Sequence, residues 1–199
     1  MPKIQVYLLG LATLIGFPAI GLGLWLLFED SPLLEKFEWS SAFDLYQLGG
    51  LLFGVAFAFL ALFLFRSPYF KKEFIDQRRL ISSMNLNHFD RFFLAFCAGF
   101  GEEILFRACL QHWMGLWLTS VAFVAIHGYL NPRKKALFLY GLCLVPFILG
   151  LGWAYEKIGL WFSIWAHFAY DLVLFYQIRQ DEEEREINED IPWESHIPE

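Results

Sequence analysis

The 199-residue chain is 57% hydrophobic and 20% aromatic, with 23 Phe and 8 Trp, and carries a formal net charge of −6. That apolar load exceeds what a soluble domain of this size buries, and it places the chain among polytopic membrane proteins. The negative charge sits mostly between Arg179 and Glu199, where nine acids face two basic residues; the rest is near neutral, so no nucleic-acid partner is implied.

Six hydrophobic segments follow one another along the chain. The first, Ile4–Phe28, has 25 residues and no charge, and a bilayer crossing needs about 20. It is too long for a signal-peptide core, no small-x-small cleavage site follows it, and it reads as a retained anchor. The second is Phe43–Phe65, the third His88–Trp113 and the fourth Leu116–Leu130. The fifth, Ala136–Tyr155, contains Pro146, and the sixth is Ile158–Ile178. The fourth is short and the fifth holds a proline, so a kink is expected in one of them. Backbone polar groups in lipid must be satisfied within the segment, which makes these helices. No repeat and no strand pattern is present. The expected fold is an all-α integral membrane protein of about six transmembrane helices bundled around a cavity facing the cytoplasm. It divides into two N-terminal spans with a basic loop (1–87), a membrane core (88–178) and an acidic tail (179–199), expected to be solvated and disordered.

Loop charge sets the orientation. The loop "EDSPLLEKFEWSS" is acidic. The loop from Arg66 to Arg91 holds six basic residues, and "NPRKK" adds three more. The positive-inside rule puts both basic loops in the cytoplasm of a multi-pass cell-membrane protein, with both termini on that side. The segment "RSPYFKKEFIDQRRL" reads as an amphipathic stretch on anionic lipid. Cys97, Cys109 and Cys143 are odd in number, lie in apolar spans and read as small buried hydrophobes.

Within this apolar sequence stand a few ionisable groups: Glu102, Glu103 and Arg107 in the third span, His127 in the fourth, and His167 and Asp171 in the sixth. A charge at the bilayer centre costs about 2.5–3.5 kcal/mol on insertion scales, and such residues mark function by default. Glu103 and Arg107 are four apart and share a helix face, as do His167 and Asp171. Glu102 is rotated by about 100° from Glu103, so it is the carboxylate left without the arginine. At a rise of about 1.5 Å per residue, Glu102 lies about 16 Å from Arg91, His127 about 6 Å from "NPRKK", and His167 about 18 Å from Arg179. All fall in the cytoplasmic half of the membrane and can converge on one pocket. His88, His112 and His196 lie at span edges or in the tail and carry no such signal.

These segments resemble the motifs of the CAAX protease and bacteriocin-processing (Abi) family of intramembrane proteases. Glu-Glu-x-x-x-Arg matches Glu102, Glu103 and Arg107; Phe-x-x-x-His matches Phe123 and His127; His-x-x-x-Asn/Asp matches His167 and Asp171. The resemblance implies a glutamate-based endopeptidase with no obligatory metal or cofactor, acting on a peptide or protein at the membrane. It implies that Glu102, helped by His127, takes a proton from water, that Glu103 pairs with Arg107, and that His167 and Asp171 stabilise the oxyanion. Asp171 stands where many members carry Asn; ionised, it would repel an oxyanion, so it either carries a proton or orients His167. Three other readings compete. One is a zinc protease using Glu102, Glu103, His127 and His167, although no His-Glu-x-x-His helix is present. Another is a non-proteolytic scaffold or bacteriocin-immunity protein of the same fold. The last is a proton-coupled carrier.

Overall fold

The computed structural model describes residues 3–37, 44–67, 69, 70, 74, 79 and 81–190, with side chains up to residue 177. Among them every regular element is helical. The first helix runs from Lys3 to Phe28 as α1 (Lys3–Leu11), a π-helical stretch (Ala12–Gly16) and α2 (Phe17–Phe28). Pro18 has no N–H to offer the carbonyl one turn back, and the backbone widens just before it. A 3₁₀ turn, Leu33–Phe37, follows. Helix α3 (Leu45–Phe65) starts at Asp44, whose carboxylate accepts from the Tyr46 N–H at 3.0 Å.

Helix α4 (His88–Glu103) opens with a capping box in which the side chains of Asn87 and Asp90 each accept the other's backbone N–H. Asp90 also accepts from Lys3 Nζ at 2.9 Å and from the Tyr7 hydroxyl, tying the first helix to the start of α4. A second π-helical stretch, Ile104–Leu110, follows α4 without a break and leads into α5 (Gln111–Ile126). Helices α6 (Lys135–Lys157) and α7 (Leu160–Asp190) complete the described residues.

Helix α6 continues through Pro146, and helical geometry is broken at Gly115, where φ is 72° and ψ 169°. That conformation is open to glycine and strained for other residues, so the third and fourth segments meet there as two helices. His127 lies at the C-cap of α5 and not within it. A second correction concerns the tail. Helix α7 runs on past Ile178 to Asp190, so residues 179–190 are helical; they contain no Gly or Pro and are rich in Glu, which favours helix. The final residues of the tail and most of the basic segment from Arg66 to Leu80 lie outside the described residues. Cys97 and Cys109 are buried as expected, whereas Cys143 is exposed on the outer face of α6.

Among the described residues three helices are long and apolar enough to cross a membrane: Lys3–Phe28, Leu45–Phe65 and Lys135–Lys157. Their outward side chains are large and apolar, with Leu27 76% and Phe63 69% exposed. Such a surface is stable against lipid and not against water, and the chain is a membrane protein.

The bundle closes on α7. Helix α3 crosses it so closely that a Cβ at Gly54 would lie 2.0 Å from the Ala166 carbonyl oxygen, and one at Gly50 2.7 Å from that of Phe162. This is a small-xxx-small contact between helices. Helix α7 packs also against α4 and α6. Gly54→Leu should force the two helices apart at Ala166, the neighbour of His167. The strain is expected to cost about 3 kcal/mol or more, a fall in melting temperature in detergent of roughly 6–12 °C; an unchanged melting temperature would contradict this packing.

Candidate active site

The two glutamates at the end of α4 point to different places. Glu103 and Arg107 have no exposed surface, and Arg107 Nε donates to Glu103 Oε2 at 2.9 Å. Desolvating two isolated charges would cost several kcal/mol each, so neither is stable there without the other. The four-residue spacing brings them together as expected, although the backbone between them is π-helical. Such widened turns occur often at functional sites, and neither composition nor spacing signals this one.

Glu103 has a second partner. Its Oε1 lies 2.9 Å from His167 Nδ1, a contact that joins α4 to α7. A carboxylate only accepts, so Nδ1 carries the hydrogen and Nε2 is the nitrogen left facing Asp171, whose Oδ2 is 3.7 Å away. His167 is thus oriented by Glu103, not only by Asp171 one turn on.

Glu102 turns away from the arginine. Its Oε2 lies 3.5 Å from His127 Nε2 without forming a hydrogen bond, and it is shielded from solvent. His127 Nδ1 donates to the Phe123 carbonyl oxygen at 2.7 Å. This is a bond back along its own helix end, and it leaves Nε2 to face Glu102. The His127 ring stacks on Phe123 at 4.5 Å, and Phe123 in turn meets His167 edge-on. The Phe of the Phe-x-x-x-His pair is therefore the plate on which both histidines rest.

Glu102, His127, His167 and Asp171 all line one cavity of about 220 Å³. The elements that deliver them are α4, the end of α5, and α7. The expected convergence of three segments is what the structure has. The remaining wall is apolar and aromatic: Phe123, Tyr129, Tyr140, Phe147 and Tyr170 among others. The Tyr140 and Tyr170 hydroxyls bond each other at 2.6 Å. Sequence reasoning missed these tyrosines; Tyr170, three residues after His167 on one helix face, was the available signal. It also missed Gln111, which continues the four-residue spacing from Glu103 through Arg107. His88 bonds Tyr176 and His112 approaches Glu29, both away from the cavity, and His196 lies outside the described residues. Among the described residues no three His, Cys, Asp or Glu side chains gather as a metal-ligand set.

Residues 85–173 match the family model described as type II CAAX prenyl endopeptidase Rce1-like. Over this segment the chain is similar to that family. The segment contains every cavity residue named in the paired motifs and ends two residues past Asp171. The Rce1-like family is one of peptidases. A Bacillus subtilis (strain 168) protein described as uncharacterized protein YpbD is 38% identical over 104 residues, 51% of this chain and 51% of that one. The chain thus matches about half the length of this curated relative. No solved structure matches.

Removing one member of the buried pair leaves the other charge unpaired, which costs about 3–5 kcal/mol. Arg107→Ala should therefore unfold well below the wild type in a detergent melt. Glu103→Gln should lose less, since its amide oxygen still accepts from Arg107 Nε. Equal melting temperatures for Arg107→Ala and wild type would refute the buried pair.

Proposed function

We propose that the protein is an intramembrane endopeptidase that hydrolyses a peptide bond of a membrane-associated protein with water activated by Glu102. The observation that carries this reading is the Glu102 carboxylate oxygen, shielded from solvent and without a hydrogen bond, beside the cavity it shares with His127, His167 and Asp171. A buried acceptor left unmet is costly in a purely structural role. It suits a group that must take a proton.

In this reading water enters the cavity, which is roomy and polar enough at one end to hold it. Glu102 accepts a proton as the water oxygen attacks the scissile carbonyl carbon, and later delivers it to the leaving amine. His127 Nε2, at 3.5 Å from Glu102, helps hold the water. The carbonyl oxygen becomes an oxyanion. With Nδ1–H committed to Glu103, His167 donates to that oxyanion through Nε2–H as an imidazolium; one such donor is worth about 3–4 kcal/mol in other enzymes. Asp171 then serves to hold His167 in this form. A peptide whose flanking side chains are apolar suits the aromatic wall, and the similarity to the CAAX prenyl endopeptidase family makes a prenylated peptide the first substrate to try.

Six crossings remain the best account of the membrane arrangement, with α4, α5 and α7 crossing beside the three apolar helices. The cavity adjoins Tyr129 and so lies at the end of the bundle that carries the basic loop Arg133–Lys135. By the positive-inside rule that end faces the cytoplasm.

Two measurements test the reading. Membrane-protein termini are compared by mass spectrometry in cells making wild type or Glu102→Gln at equal levels. An internally quenched prenylated peptide is also followed with purified protein in detergent. Glu102→Gln should fold and lose at least about 100-fold in rate; full activity in this variant would sink the proposal. Asp171→Asn should keep activity within about threefold, because its amide N–H₂ can itself donate to the oxyanion. A loss as large as that of Glu102→Gln would mean that the charge of Asp171 is itself required.

A further inference from the structure

The buried pair does not end at Arg107. Its Nη1 donates to Gln111 Oε1 at 3.4 Å, and Gln111 Nε2 donates to both the Gly152 carbonyl oxygen and Glu156 Oε1, each at 2.9 Å. Gln111 is only 4% exposed. Glu156 is exposed and lines a second pocket of about 470 Å³ with Ser31, Glu35, Lys36, Tyr155 and Gly159. That pocket is at the other end of the bundle: Tyr140, in the cavity wall, and Glu156 are sixteen residues apart on α6, about 24 Å. A continuous line of hydrogen bonds thus runs from this far pocket through Gln111, Arg107 and Glu103 to His167.

We propose that Gln111 and Glu156 are positioning residues of the active site, setting the Arg107 fork and through it the His167 ring. The chemistry of the amide dictates how. Gly152 O and the Glu156 carboxylate are acceptors, so both demand the N–H₂ end of Gln111. Only the oxygen is then left to face Arg107, which has nothing but donors. Without Glu156, the Gln111 amide loses one of the two acceptors that hold its orientation. A flipped amide turns N–H₂ toward the guanidinium. Arg107 must then move, and with it the Glu103 carboxylate whose other oxygen holds His167 Nδ1–H. The first of the motifs that resemble the protease family stops at Arg107; Gln111 on α5 and Glu156 on α6 lie outside all three.

The catalytic consequence rests on the endopeptidase reading, so the test carries a readout that does not. Full-length protein labelled with ¹⁵N-histidine is compared in detergent as wild type, Glu156→Ala, Glu156→Gln and Gln111→Leu, with the His167 resonances assigned by a His167 variant. Glu156→Ala and Gln111→Leu should shift the His167 ring nitrogens while leaving those of His88 in place. Glu156→Gln, which keeps an acceptor for Gln111 Nε2, should stay at the wild-type position. On the prenylated fluorogenic peptide, Glu156→Ala should lower kcat by about tenfold with KM unchanged, and Glu156→Gln should restore it. A lowered melting temperature with unmoved His167 resonances would overturn the proposal and leave Gln111 a merely structural residue. If Glu102→Gln cleaves as well as wild type, the endopeptidase reading falls, and the ring-nitrogen shifts still decide the positioning chain.

Discussion

The Arg107 guanidinium is the charge on which the site depends. It is sealed inside the bundle, and one nitrogen, Nη2, has no hydrogen-bond partner while Cζ lies over the Phe123 ring, 5.7 Å from its centroid. A cation so placed is stable only if an anion is supplied on the spot, and Glu103 is that anion. Supplying it uses one carboxylate oxygen. The other oxygen is then fixed in direction, and it holds His167. One desolvated pair thereby determines where a histidine on a different helix points.

That arrangement also separates two neighbours of identical chemistry. Glu103 is held on both oxygens, whereas Glu102, one residue earlier and turned by about a third of a helical turn, has no arginine and meets only His127 at a distance. The difference in contacts follows from which side of α4 faces the packed interior and which faces the cavity. Phe123 completes the division by lying flat against His127 and edge-on to His167, so that the two histidines approach the cavity from different walls.

Precision of this kind needs rigid helices, and the means differ from those of a soluble core. Lipid gives helices little hydrophobic reason to associate, so close backbone contact and polar ties serve instead. Gly50 and Gly54 let α3 rest on the carbonyls of α7 next to His167. Asp90 fastens the first helix to the start of α4. Gln111 joins the far end of the site-bearing helix to α6. The polar ties lie mainly at the ends of α4 and its continuation, where the chain enters and leaves the region of the two glutamates.

Much of this was legible in the sequence because its signals are local. Long uncharged runs, basic loops and four-residue spacings depend only on helix period and on the expense of charge in lipid. They were enough to find the apolar helices, to pair Glu103 with Arg107, and to single out Glu102, His127, His167 and Asp171 as convergent. The helical reading of residues 179–190 was equally available from their composition and was overridden by their charge. Other features depend on contacts between segments distant in the chain, and no period encodes them. The Glu103–His167 bond, the aromatic wall of Tyr129, Tyr140 and Tyr170, and the link from Gln111 to Glu156 arise only when α4, α6 and α7 are packed side by side. The sequence by itself determined which residues are too costly to be idle in a membrane. Tertiary packing decided which atom of each faces which partner, because orientation is set by neighbours across the bundle and not along the helix.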